Sequence, residues 1–318
     1  MVEKRSIGDS GIEVAPLALG GNVFGWTADE KASFAVLDAF VEAGGTMIDT
    51  ADVYSAWVPG HRGGESEEMI GRWLRRDPAK RSRIVIATKV GFTAGLAPES
   101  IAPSCDASLR RLGIEEIDLY YQHKDDERVP LAESLAEFDR LKKAGKIRAI
   151  GLSNFSAARI DDAFDAALSD GLTAPVALQP FYNLVAREFE NELQGAAARH
   201  RLGVFPYQGL ASGFLTGKYR SGADLRKSPR GKSVERYLEG NGTRVLDTLD
   251  EIATETGASL ATISLAWLMA QPMITAPIAS ATNVDQLKQL TAAMDLTLSL
   301  DQIARLDEAS AERETAAA

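Results

Sequence analysis

One phrase recurs along this chain and limits its fold more than any other feature: an amphipathic helix, a glycine, a short β-rich run, then a polar loop. LDAFVEAGGTMIDTA, LRRLGIEEIDLYYQH, FDRLKKAGKIRAIGLSN, DAALSDGLTAPVALQP and AAARHRLGVFPYQG all follow it. Gly45, Gly113, Gly145, Gly171 and Gly203 stand where each helix must end, a place that favours left-handed backbone. The apolar runs behind them are short, often β-branched and nearly continuous, the pattern of a strand buried on both faces. Eight such strands are expected, around Leu17–Gly20, Met47–Ala51, Ile84–Lys89, Asp118–His123, Arg148–Ser153, Ala177–Phe181, Val204–Tyr207 and Ile274–Ile278. Most are spaced by roughly 25–40 residues, which suits right-handed βαβ crossovers. Eight units in 318 residues fit a (β/α)8 TIM barrel better than a doubly wound sheet. No G-x-G-x-x-G joins the first strand to a helix, which counts against a Rossmann fold. The expectation is one barrel domain over residues 1–318.

Smaller signals refine this plan. SIGDSGIEVAPLALGG reads as a short N-terminal β-hairpin with Asp9-Ser10-Gly11 at its turn. Thr27-Ala-Asp-Glu30 has the form of a capping box ahead of SFAVLDAFVEA, and Pro130 opens a helix carrying Leu135, Phe138 and Leu141. Between the seventh and eighth strands lies KYRSGADLRKSPRGKSVERYLEGNG, too long for an ordinary barrel loop and expected to be a functional flap.

Composition removes several classes of function. A hydrophobic fraction of 45% with 25% charged residues is that of a globular chain with a large core. No apolar run approaches the ~20 residues needed to span a bilayer, and MVEKRSIGDSG is no signal peptide. A net charge of −10 argues against nucleic-acid partners. Cys105 is the lone cysteine, which fits a reducing cytoplasm, and the 3 histidines show no metal-ligand spacing. A cytoplasmic enzyme or small-molecule binding protein remains.

In barrels of this kind chemistry sits at the C-terminal strand ends. Those ends carry Asp49 and Tyr54, Lys89, His123, Ser153 with Asn154, Gln179 and Tyr207. Each has a plain reading as well: a solvated lysine, a hydrogen-bonded histidine, a packing tyrosine. Lys89, however, follows IVIAT in a buried wall, where an unpaired ammonium is costly, and Asp49 on the neighbouring strand is placed to pair with it. A phenol of pKa near ~10 is a poor acid unless a neighbouring ammonium stabilises its anion, so Lys89 is expected to lower the pKa of Tyr54. Neutral His123 would orient a carbonyl oxygen. This set suits protonation of a forming alkoxide, and with no nucleophile evident the hydride would come from a cofactor.

The motifs IDTADVYS (48–55), ATKVG (87–91), DLYYQH (118–123), GLSNF (151–155), LQPFYNL (178–184), GLASGFLTGKY (209–219) and ATNVDQL (281–287) resemble those of the aldo-keto reductase family, in its order and spacing, over nearly the whole chain. The resemblance implies NAD(P)H-dependent carbonyl reduction, with Asp49, Tyr54, Lys89 and His123 as the catalytic tetrad and Tyr54 as general acid. It implies that Ser153, Asn154 and Gln179 hold the nicotinamide carboxamide and that the ring stacks on Tyr207. Leu210, Ser212, Gly213 and Lys218 match the pyrophosphate segment; Gln208-Gly209 stand where relatives usually have Ser-Pro. Ser280, Thr282, Gln286 and Gln289 match adenosine contacts. No Lys or Arg lies between Ala270 and Gln286, so charge for a 2′-phosphate would come from Arg230 or Lys232. NADPH is the cofactor expected from the family, with NADH the alternative. Asp52 matches no catalytic position and is expected to serve the loop or a cap. Phe24, Trp26 and Trp57 are expected as an apolar wall for aldehydes or ketones, or as a platform for a sugar. Two other readings stand beside this one. Lys89 at a strand end also suits a Schiff-base lyase. Relatives of similar sequence serve as cofactor-binding β subunits of potassium channels, although no extension precedes the barrel here.

Overall fold

The computed structural model describes residues 2–227 and 231–311. Strands β1 (Arg5–Ser6) and β2 (Glu13–Val14) pair antiparallel around the expected turn. Eight parallel strands follow: β3 (Ala18–Gly20), β4 (Met47–Asp49), β5 (Val85–Val90), β6 (Ile117–Gln122), β7 (Ile147–Ser153), β8 (Ala177–Gln179), β9 (Gly203–Val204) and β10 (Ile278–Ala279). They pair in the order β10-β3-β4-β5-β6-β7-β8-β9. The ring closes where Val204 bridges Ile274, with the N–H groups of Thr275 and Ile278 donating to Val204 O and Pro206 O at 2.8 Å. Helices fill the crossovers, which makes this the (β/α)8 barrel that the repeated phrase predicts.

The barrel strands are buried on both faces, and their side chains sort by parity. Met47, Val85, Ala87, Leu119, Tyr121, Ala149, Ala177 and Phe205 cluster inside the barrel. Ile48, Ile86, Val90, Tyr120, Ile150 and Leu178 pack outward against the helices. Ile7, Ile12 and Val14 of the hairpin join the inner cluster, and a Cβ on Gly8 would stand 2.5 Å from Val176 O, just before β8 begins. The hairpin thus plugs the N-terminal end of the barrel and leaves the C-terminal end as the mouth. Two residues beyond Met47, Ala87, Tyr121, Ala177 and Phe205 come Asp49, Lys89, His123, Gln179 and Tyr207. One alternation therefore turns all five toward the axis above the inner layer.

Four expectations change. The cap of the helix Glu30–Glu42 is Asp29, not Thr27: Asp29 has extended backbone and its carboxylate accepts the N–H of Ala32 at 2.8 Å. The left-handed residues at two helix ends are Gly44 (φ 87°) and Arg201 (φ 51°), not Gly45 and Gly203. Gly45 serves close packing instead, since a Cβ there would lie 2.3 Å from the Phe40 ring. The eighth strand begins at Ile278, with Ile274 making an isolated bridge, because Pro277 has no N–H to extend the ladder. Finally, the polar stretch before it is not an open loop: it holds a 3-10 turn at Asp224–Lys227 and a helix at Gly231–Glu239. Buried Val234 and Tyr237 lie one helical turn apart, with the Tyr237 ring 5.4 Å from that of Phe214. Their spacing is helical, but the surrounding charges mask it in the sequence.

Candidate active site

Lys89 is fully buried, and its ammonium donates three hydrogen bonds at the mouth: to Asp49 Oδ2 at 2.6 Å, Thr50 O at 2.8 Å and Tyr54 Oη at 2.9 Å. Asp49 is held on its other oxygen by Gln179 Nε2 at 2.9 Å and accepts a longer bond from Tyr54 Oη, 3.3 Å. Four elements converge here because β4, β5 and β8 end level with the loop that carries Tyr54. The His123 ring lies 6.1 Å from that of Tyr54, nearly edge-on, and its Nδ1 is buried without a hydrogen-bond partner.

The electrostatics differ in one respect from expectation. Burial, reinforced by Asp49, raises the pKa of Tyr54 well above the usual phenol value; Lys89 does not overcome it. A desolvated phenolate beside a carboxylate is the costlier state, so Tyr54 keeps its proton until a stronger base develops next to it. Burial also pulls the Lys89 ammonium down, with Asp49 opposing. His123 is held neutral, its pKa pushed down to about 2 by burial and then by Lys89. It can donate to an oxygen without carrying charge.

From this set a cleft of about 820 Å³ runs past Ser153, Asn154, Gln179 and Tyr207 to Leu210, Ser212, Gly213 and Lys218, then to Ser280, Thr282, Gln286 and Gln289. Ser153 Oγ donates to Gln179 O at 3.0 Å, while Asn154 Nδ2 donates to His123 O at 2.8 Å. The Tyr207 hydroxyl donates to Asn154 Oδ1 at 2.8 Å. Gln208, Ala211, Ser212 and Gly213 all have positive φ, so this backbone curls tightly instead of running straight. The Gln208 side chain ties the curl by accepting from Ser212 N at 2.8 Å and Ser212 Oγ at 3.0 Å. A Cβ on Gly213 would stand 2.8 Å from Lys218 Nζ, so glycine leaves a cradle beside that ammonium. At the far end Thr282 donates through N and Oγ1 to Gln286 Oε1 at 2.9 and 3.0 Å, and Ser280 Oγ donates to Asn22 Oδ1 at 2.7 Å. Among the described residues this end of the lining is neutral. Arg230 lies outside the described residues.

The apolar wall is only partly as expected. Phe24 is fully buried in the core cluster and does not line the cleft. Trp26 does line it, edge-on to Trp57 at 5.6 Å, and Trp57 is 50% exposed and 6.2 Å from the Tyr54 ring. Phe92 was not anticipated: it is 52% exposed, lines the cleft, and stands 4.9 Å from the His123 ring. Its place two residues after the end of β5 was the signal that could have found it. Asn22, Val23 and Thr27 also line the mouth. Asp52 lies in the turn after β4, as expected of a loop residue, and caps none of the described helices; it is half-buried, and its Oδ1 is buried without a hydrogen-bond partner.

Among the described residues no cluster of His, Cys, Asp and Glu can hold a metal ion, and no helix is long and apolar enough to cross a membrane. A closed parallel barrel with its cleft and polar residues gathered at the C-terminal mouth has the build of a barrel enzyme. Comparison with known proteins gives the family. The aldo/keto reductase family model matches residues 16–311. An uncharacterized oxidoreductase of Bacillus subtilis is 31% identical over 96% of this chain and 95% of its own. A protein of Arabidopsis thaliana named as a probable voltage-gated potassium channel subunit beta is 31% identical over 93% and 92%. L-glyceraldehyde 3-phosphate reductase of Escherichia coli O157:H7 is 30% identical over 98% and 94%. The chain belongs to the aldo-keto reductase family, whose oxidoreductases act on carbonyl groups with nicotinamide cofactors.

Proposed function

We propose that this protein reduces aldehydes or ketones to alcohols with NADPH, and that Tyr54 supplies the proton. One observation carries the reading: a single buried ammonium, Lys89, bonds both Asp49 and Tyr54 Oη at the open end of the cleft. The curled Gln208–Gly213 backbone and the cradle between Gly213 and Lys218 fit the pyrophosphate of a dinucleotide. Ser153, Asn154 and Gln179 would hold the carboxamide, Tyr207 the ring, and Ser280, Thr282, Gln286 and Gln289 the adenosine. When bound, the cofactor supplies the hydride that the side chains here lack.

The rest of the chemistry belongs to the chain. Neutral His123 donates a hydrogen bond to the carbonyl oxygen and fixes it near Tyr54. As that oxygen gains negative charge it becomes the stronger base, and the Tyr54 proton passes to it. The phenolate left behind is stabilised by Lys89, which Asp49 and Thr50 O hold in place; this difference between ground and transition states is what accelerates the step. Trp26 and Phe92 on the cleft wall, with Trp57 edge-on to Trp26 beside them, favour apolar or aromatic substituents. The 2′-phosphate is assigned to Arg230 or Lys232, since the described lining of the far end carries no cation; NADH is the alternative. A Schiff-base lyase is disfavoured, because all three Lys89 N–H groups are already donated within the protein. NADPH and NADH oxidation against a panel of aldehydes and ketones tests the proposal. Turnover undiminished in Tyr54→Phe overturns it.

A further inference from the structure

A second cavity, of about 230 Å³, lies behind the barrel wall beside the cleft. Leu178, which faces outward from β8, and Pro180 line it, whereas Gln179 between them faces the axis and holds Asp49. Phe155, Phe181, Phe189 and Leu193 add an apolar surround. Apolar cavities of about 150 Å³ already take up a benzene ring. This one has room for a single ring with a short side chain. Its frame is firmly tied: the Phe189 ring lies 5.1 Å from that of Tyr182, whose hydroxyl donates to Glu190 Oε1 at 2.6 Å, and Arg187 Nε donates to the same oxygen at 2.7 Å.

Two residues border both this cavity and the cleft, Asn154 and Tyr207. They are joined by the Tyr207 Oη bond to Asn154 Oδ1, and Asn154 in turn donates to His123 O. The Phe181 ring meets that of Tyr207 edge-on at 5.5 Å. A molecule in the cavity therefore packs behind the Tyr207 ring and against the residue that holds the His123 backbone. Among the described residues the one charged group in the lining is Glu188, exposed at the rim. Its neighbour Arg187 is matched by Glu190, and no described ion pair engages Glu188. Arg236 of the helix Gly231–Glu239 stands 5.7 Å over the Phe181 ring, but it donates to Tyr237 Oη and does not line the cavity. Aromatic faces beside an unpaired carboxylate are surroundings that select an organic ammonium.

We propose that this cavity is a second small-molecule site, which takes a single-ring arylalkyl ammonium with its ring among Phe155, Phe189 and Leu193 and its ammonium at Glu188. Filling it gives Tyr207 and Asn154 the contacts that a void denies them, and so braces the ring platform from behind. The site stands on the cavity alone; its effect on the cofactor rests on the reading of Tyr207 as the nicotinamide platform.

The test titrates 4-fluorobenzylammonium into the full chain at neutral pH, followed by fluorine NMR, alone and with saturating NADPH. A Kd on the order of 1 mM is expected, the scale for a ligand of this size. Glu188→Gln, a change at an exposed position, should weaken it at least about threefold, while uncharged 4-fluorobenzyl alcohol should bind wild type and Glu188→Gln equally. Leu193→Trp, which fills the cavity from a half-buried position, should abolish binding of both probes. NADPH should tighten the ammonium at least about twofold, and by reciprocity the ammonium should tighten NADPH by the same factor. No binding below about 10 mM overturns the site. Equal affinity for wild type and Glu188→Gln overturns the ammonium class, and displacement by NADPH puts the probe in the cleft instead. NADPH that binds without altering the probe overturns the bracing of Tyr207. If NADPH does not bind at all, the cofactor reading fails, and the titration of the protein alone still decides the second site.

Discussion

The two ends of the cleft are built on different principles. At the tetrad end, Lys89, Asp49, Gln179 and Tyr54 come from four separate elements and are joined by bonds across the barrel. Removing one leaves its partners buried and unsatisfied. At the adenosine end, Thr282 and Gln286 are four residues apart and satisfy one another within a single helix start, as Asn283 does by accepting from Gln286 N. Among the described residues no charge is buried there, and Thr282 and Gln286 remain near solvent. The contrast teaches where substitution should be severe: where a group is desolvated and its partners are distant in sequence.

Predictions that could break this contrast run from the mouth outward. Tyr54→Phe should lower kcat by about 10²–10⁴-fold while cofactor affinity, measured by fluorescence titration, changes less than about twofold. Lys89→Met strands the Asp49 carboxylate in a buried site and should destabilise the fold by about 3–5 kcal/mol in urea unfolding. A loss below 1 kcal/mol would mean that this end is no more coupled than the other. His123 gives a pH test of known sign. Its folded pKa, about 2, lies below the usual value of 6.5, so the unfolded chain binds the proton first and stability is lost as pH falls below 6.5. Between pH 6.5 and 5, wild type should lose about 2 kcal/mol more than His123→Asn. Midway along the cleft, Lys218→Ala should weaken NADPH by about tenfold, the scale of one charge-assisted contact. Arg230→Ala should weaken NADPH only about threefold, the scale of one weak ion pair, and leave NADH unchanged. Equal effects on the two cofactors would remove Arg230 from the 2′-phosphate.

Legibility in the sequence followed the same gradient. The barrel could be read because each unit repeats a local rule, helix periodicity, a helix stop and a continuous apolar strand. Strand-end residues could be read because parity carries a buried alternation one step beyond the strand. Phe24 differs from expectation since its ring packs into the core cluster, a placement that periodicity in a loop does not show. The helix Gly231–Glu239 was missed because charges surround its two buried anchors.

MIDTADVYS shows the boundary between the two kinds of information. Its sequence by itself determined that Asp49 closes a strand and faces the barrel axis, and that Tyr54 follows in the loop at the mouth, since both depend on local pattern. Only the tertiary structure decided the charge states. Whether Tyr54 holds its proton depends on desolvation and on Asp49, Tyr207 and Tyr121, and the state of Asp52 on desolvation and on Glu67, Arg111 and Lys89, groups that the fold brings from other elements. Ionisation energies depend on distance in space and on access to water, and neither is written in the order of residues along the chain.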